Sequence, residues 1–174
     1  MRMAKRTPIG TFGRSRRGIN ALGWALRGAA AGAAGTCALN AVTYLDMAVR
    51  GRGESSTPEQ TVERLAEKAH VPIPGRGETQ ENRVAGLGTL LGFGAGVGVG
   101  VLTGLVRAAG FRSSPPVGIA LLTGGAMVIG NAPMTALGVT HPRSWSATDW
   151  LSDLLPHVAY GITVKTTMDA FGRA

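Results

Sequence analysis

Asp149, Asp153, His157, Lys165 and Asp169 fall on one i, i+4 register near the end of the chain, with Gly161 in the remaining position. On a helix each step of four drifts by about 40°, so these side chains wind slowly along one side as a polar stripe. Ionisable groups at depth in a bilayer often mark ion or proton paths, and histidine titrates nearest to neutral pH. A plainer account stands beside that one. Asp149 and Asp153 would occupy the first turn, where a helix favours acids, and Lys165 and Asp169 would pair at the far interface with each other or with Arg27. His157 then needs only one hydrogen bond to a neighbouring helix, and this plainer account is the expected one. Asp153 and His157 supply two metal ligands and no visible third, so no metal site is expected. Asn40 and Asn131 are expected to make hydrogen bonds between helices or to backbone, Asn131 to groups freed by Pro133.

Other chemistry is excluded by what the chain lacks. The run GFGAGVGVG (92–100) resembles a phosphate loop only in texture, because no Gly-Lys-Ser or Gly-Lys-Thr follows and no strand precedes it. HExxH and GxSxG are absent, and no nucleophile can be paired with a base. An enzyme acting on lipid is therefore the most distant reading, and no cofactor is expected. The lone Cys37 excludes an intramolecular disulfide and a cysteine-based zinc site, and its neighbours do not form a lipoprotein cleavage site.

These side chains must be held by apolar elements, of which Val84 to Val106 is the clearest. It contains 23 uncharged residues between Arg83 and Arg107. As a helix it would be roughly 35 Å long, enough for a bilayer core of about 30 Å. Within it Gly88, Gly92, Gly96, Gly100 and Gly104 recur at every fourth position. Each internal Gly costs about 1 kcal/mol against Ala in water. In lipid such a strip lets a second helix backbone approach closely. Gly28 and Gly32, followed by Thr36 and Asn40 at the same spacing, form a matching small-residue face.

The 174 residues include 27 Gly and are 16% charged and 44% hydrophobic. Low charge with long apolar stretches overrides the expectation of a soluble domain. A net charge of +8 invites a nucleic-acid reading, but no recognition motif accompanies it. Six of the 18 basic residues (Arg2, Lys5, Arg6, Arg14, Arg16, Arg17) instead precede the first apolar run, as in a membrane protein with a cytoplasmic amino terminus. Ser15-Arg16-Arg17 faintly resembles a twin-arginine signal, but the following apolar run is too long and no A-x-A site ends it cleanly.

The expected fold is all-α, an integral membrane helical bundle of four spans with a short amphipathic helix in the first loop. Residues 1–18 form a basic cytoplasmic tail, and 19–174 the transmembrane domain, with spans at about 19–49, 84–106, 117–139 and 150–171. The polar lobe 50–83 carries six basic residues and six Glu. In it Thr57 is expected to cap a helix with Pro58 at its first position and Gln60 closing a capping box. That helix should run to about Ala69, with Val62, Leu65, Ala66 and Ala69 on the face that lies on the membrane surface. Trp145 and Trp150 suit a membrane–water boundary. The 150–171 segment is the least apolar of the four, and its polar side must face the other helices if it spans. An even number of spans puts both termini in the cytoplasm, leaving the lobe outside.

Three segments, LNAVTYLDMAVRGR (39–52), STPEQTVERLAEKA (56–69) and NAPMTALGVTHPRSWSATDWLSDLLPHVAYG (131–161), resemble uncharacterised small polytopic membrane proteins of high-GC Gram-positive bacteria. The last helix, with His157, Tyr160 and Gly161, is more distantly similar to the YagU-like inner-membrane proteins. The resemblance implies a bacterial inner-membrane location and assigns no residue a role. From the residues, the leading expectation is a structural or interaction protein packing through glycine-rich helix faces, as a homo-oligomer or with a membrane-protein partner in the lipid bilayer. The alternative is a small proton- or ion-coupled transporter or channel using the polar stripe of the last helix.

Overall fold

The computed structural model describes residues 12–173, with side chains from Asn20 onward. The first eleven residues of the expected basic tail lie outside the described residues. The backbone is helical from Phe12, inside the stretch read as tail.

Five helices and one 3-10 turn, with no strand among the described residues, make the chain all-α. Helix α1 (Phe12–Arg50) is 39 residues of mostly Ala, Gly and Leu without an internal proline, roughly 58 Å long. Gly51 ends it by taking a left-handed φ of 62°, which a residue with a Cβ adopts reluctantly. Helix α2 (Thr57–Ala69) starts one residue earlier than the sequence implied. Ser56 holds the N-cap position, Thr57 is the first helical residue and Pro58 the second. The Gln60 amide donates to the Ser56 hydroxyl at 2.8 Å, and its carbonyl accepts no backbone N–H, so no capping box closes. Its buried residues are Thr61 and Val62, while Leu65 and Ala69 are exposed.

Helix α3 (Glu78–Ala108) carries Glu78 and Glu81 in its first turn and Arg107 in its last, the signs the helix ends favour. Gly110 then turns the chain at φ 95°. Helix α4 (Pro115–Ala136) opens on two prolines, whose missing N–H groups go unneeded in a first turn, and it continues through Pro133. A 3-10 turn over Pro142–Ser144 leads to α5 (Ala147–Phe171). The start of α5 is a complete capping box: the Ser146 hydroxyl accepts from the Asp149 amide at 3.2 Å, and the Asp149 carboxylate accepts from the Ser146 amide at 2.9 Å. Trp145 and Trp150 meet edge to face beside it, with centroids 5.0 Å apart.

The long helices alternate in direction. Trp24, Gly28 and Gly32 of α1 face Gly104, Gly100 and Gly96 of α3, so these two run antiparallel. Gly35 of α1 meets Tyr160 and Val164 of α5, and Arg50 donates to Ser152 at 2.6 Å, which sets α1 and α5 antiparallel as well. Gly118 and Thr123 of α4 face Lys165 and Gly161, and Asn131 faces Asp153, again an antiparallel pair. The result is an up-down-up-down bundle. One end gathers the start of α1, the α3–α4 loop and the end of α5 (hereafter the tail end), and the other gathers α2, the polar lobe and the α4–α5 loop (the lobe end).

The core is thin. Ala31, Val99, Leu122, Ala126, Tyr160, Val164 and Met168 form its buried cluster. Large apolar side chains instead point outward, among them Leu90, Phe93, Leu102, Leu121, Val128 and Ile162. Helices α3 and α4 are each long and apolar enough to cross a membrane, and only 17% and 22% of their most apolar windows are buried. A core helix of a soluble protein passes the same length and hydropathy test but is mostly buried, which these two are not. Among the described residues α1 and α5 do not pass it, so two of the four expected spans stand as candidates.

Candidate functional site: a glycine seam and a divided polar stripe

The close approach of α1 and α3 is built from backbone. A Cβ placed on Gly32 would lie 2.6 Å from the Gly96 carbonyl oxygen, and one on Gly100 would lie 2.7 Å from the Gly32 Cα. Gly28 presses in the same way on the Gly100 carbonyl, and Gly104 on the Trp24 carbonyl. Any side chain at these positions pushes two main chains apart. Gly96 faces the Thr36 hydroxyl, which bonds back to the Gly32 carbonyl at 2.9 Å and so stays satisfied at the crossing. The glycine strip divides here. Gly96, Gly100 and Gly104 meet α1, Gly88 lies under Pro58 of α2, and Gly92 has open space where a Cβ would sit. The packing partner of the strip is thus the chain's own first helix, with Gly92 taking no part.

Tyr160 ties the third helix to this seam. Its ring is 1% exposed and packs on Gly35, and its hydroxyl donates to the Gly96 carbonyl at 2.6 Å. Val164 and Met168, both buried, continue that face of α5.

The ionisable register of α5 resolves into two groups. At the lobe end the Asp153 carboxylate accepts from the Asn131 amide at 3.0 Å. Asn131 therefore serves a side chain on α5 and not the backbone freed by Pro133. His157 Nδ1 lies 2.7 Å from the Asp153 carbonyl oxygen. A carbonyl only accepts, so Nδ1 donates, and Nε2 turns toward Gly130. The Asp149 carboxyl, fully exposed, is held below the usual carboxylate range first by the Ser146 hydroxyl and then by the Ser146 amide.

At the tail end Lys165, 6% exposed, donates to Asp169 at 2.5 Å, and Arg107 donates to the same carboxylate at 2.8 Å. The expected pairing of Lys165 with Asp169 forms, while the second cation is Arg107 and not Arg27. Arg27 stacks over the Trp24 ring at 5.0 Å, and Arg107 lies over the same ring at 5.5 Å. One carboxylate thus serves two cations. Arg107 Nε is buried and has no hydrogen-bond partner among the described residues.

Between the two groups the stripe is interrupted. His157 and Lys165 are about 12 Å apart along the axis. Gly161 fills the register position between them, and the Thr123 side chain of α4 packs flat against it. Thr123 is buried and its hydroxyl has no partner among the described residues. Asn40 lies on α1 outside both groups, half-buried and without a side-chain hydrogen bond among the described residues. No group of three metal-ligating side chains comes together among the described residues.

Sequence reasoning missed Arg107, Tyr160 and Thr123. Arg107 read as the boundary of an apolar run, although its position within the last turn of α3 allows it to fold back on α5. The only signal for Tyr160 was a phenol in the middle of an apolar stretch, a residue that needs a partner when buried. No protein-family model matches the chain, and neither a curated protein nor a solved structure matches it.

Proposed function

We propose that the chain is a four-span membrane protein, with α1, α3, α4 and α5 crossing the bilayer and both termini on the cytoplasmic side, and that it works as a structural or interaction protein. The observation that carries this reading is the outward surface. The bundle turns Gly28, Gly32, Gly96, Gly100 and Gly104 in and many of its Leu, Val, Ile and Phe side chains out, which suits lipid or another membrane protein and is costly in water. Because Gly28, Gly32, Gly96, Gly100 and Gly104 are used within the chain, a partner meets the bundle through its outward apolar faces.

Basic residues favour this orientation. Seven of the 18 (Arg50, Arg52, Arg64, Lys68, Arg76, Arg83, Arg143) belong to the lobe end, and the other eleven to the tail end and the sequence leading into it. Of the ten acids only Asp169 belongs to the tail end. A transporter using the α5 stripe is the weaker reading, since Thr123 and Gly161 interrupt the stripe between His157 and Lys165.

The test is thiol labelling in a Cys37→Ala background. Gly53→Cys at the lobe end should react with a membrane-impermeant maleimide in intact cells, and Ala109→Cys at the tail end only after lysis. The reverse pattern overturns the orientation, and a chain that stays dissolved and monomeric without detergent overturns the membrane reading. Crosslinking in the membrane, followed by mass measurement of the species extracted in mild detergent, then tests association. A sole monomeric species removes the interaction role.

A further inference from the structure

A cavity of about 250 Å³ opens at the tail end between α3, α4 and α5. Its walls are apolar, including Leu102, Val106, Leu121 and Ile129, and its polar lining includes Arg107 and Lys165. Leu102 and Leu121 are more than half exposed, so the cavity opens sideways at the bundle surface and not only toward its end. Helices α3 and α4 pack more sparsely against each other than α1 against α3 or α4 against α5, which leaves this seam open.

Among the described residues the charges here do not balance. Arg107 and Lys165 share the single carboxylate of Asp169, leaving one positive charge over among those residues. Arg107 has five N–H donors, spends one on Asp169, and keeps a buried Nε with no acceptor. A buried donor without a partner is costly, and a second anion is what this group lacks. Ser113 at the rim adds a hydroxyl. A compact soluble ligand usually takes a pocket of about 300–1,000 Å³ that encloses it. A smaller slot, open at the side and charged at one end, fits an anionic head with one alkyl chain.

We propose that this cavity seats an anionic glycerophospholipid of the leaflet facing the chain termini, its phosphate against Arg107 and Lys165 and one acyl chain along the α3–α4 seam. Basic pockets between spanning helices on the cytoplasmic side recognise such headgroups, and Arg matches phosphate geometry with paired donors. The seat lies at the end that, together with the sequence leading into α1, accounts for eleven of the 18 basic residues, and the same field that orients the chain would concentrate anionic lipid there. This inference rests on the membrane reading above.

The test is native mass spectrometry and thermal unfolding of the full chain in mild detergent, with phosphatidylglycerol, phosphatidylcholine or inorganic phosphate added. Phosphatidylglycerol should be retained about tenfold more than phosphatidylcholine and should raise the melting temperature, while inorganic phosphate does neither. Arg107→Gln should bring the two lipids to within about twofold. Leu121→Trp, which fills the slot from an exposed position and leaves every ion pair intact, should do the same even if Arg107→Gln does not fold. Arg83→Gln at the lobe end should change nothing. Equal retention of both lipids, undiminished preference in Leu121→Trp, or full substitution by inorganic phosphate each overturns the proposal. A chain that needs detergent yet ignores headgroup charge sinks the lipid seat alone, whereas one that dissolves without detergent sinks the membrane reading first.

Discussion

Gly100→Ala and Gly98→Ala introduce the same methyl group two residues apart on α3, and they should change stability in opposite directions. At Gly100 the new Cβ would lie 2.7 Å from both the Cα and the nitrogen of Gly32, closer than real Cβ atoms come to anything. The Gly28 carbonyl oxygen would be closer still, and ordinary contact begins near 3.4 Å, so α1 must retreat by about 1 Å or more along the crossing. Overpacking of this kind costs about 1–3 kcal/mol, toward the upper end here because main chain cannot swing away as a side chain can. Alanine's better helix propensity returns at most about 1 kcal/mol, leaving a net loss near 1–2 kcal/mol. At Gly98 nothing lies within 4 Å, so only the propensity term acts and the variant gains up to about 1 kcal/mol. Gly92→Ala, also open, should follow Gly98→Ala although a strict four-residue strip would class it with Gly100. Equilibrium unfolding in mixed detergent micelles, followed by circular dichroism, measures all three. If Gly92→Ala and Gly100→Ala destabilise alike, the strip is continuous and the α1–α3 contact described above is wrong.

Tyr160→Phe removes the hydroxyl that bonds the Gly96 carbonyl and should cost about 0.5–1.5 kcal/mol, read in the same unfolding assay. His157→Ala should change stability by less than that, because the ring bonds only its own helix four residues back. Asp149 bonds Ser146 as a carboxylate, and its folded pKa is lowered. Its contribution is therefore present above the unfolded value of about 3.9 and is lost as pH falls through the lower folded value. Asp149→Asn should flatten the acid limb of the stability profile in that window without changing its neutral plateau in shape.

Much of the architecture was legible because long uncharged helices advertise themselves. Uncharged length located α3 and α4, although α4 begins at Pro115, two residues before the expected start, and small residues at spacing four pointed to Gly28 and Gly32 as partners of α3. Where the strip ends was not legible. Gly88, Gly92 and Gly100 occupy equivalent sequence positions, and only the arrival of α2 over Gly88 and the absence of a neighbour at Gly92 tell them apart. The polar stripe was legible as a register. Spacing says which residues share a side of α5, but the rotation that turns Tyr160 to Gly96 and sets Thr123 against Gly161 is a property of three helices together. Arg107 illustrates the same limit, since its partner Asp169 is 62 residues away.

The shared carboxylate at the tail end makes an asymmetric demand on the bundle. Removing Lys165 as Lys165→Met leaves Asp169 with Arg107, a balanced pair, and replaces a buried ammonium by an apolar group of similar length. Stability should stay within about 1 kcal/mol, as for other exchanges of buried charge for well-packed apolar side chains. Removing the carboxylate as Asp169→Asn strands two cations at once, one of them 6% exposed. Breaking a buried pair costs roughly 3–5 kcal/mol, and the 27% exposure of the Asp169 side chain reduces this to about 2–3 kcal/mol. The two variants together separate a structural pair from a pair with a surplus. If Lys165 exists only to neutralise Asp169, both substitutions should cost alike. A large loss for Asp169→Asn beside a near-neutral Lys165→Met, with the loss shrinking when phosphatidylglycerol is added, is the pattern of a site that holds one cation more than its own chain can use.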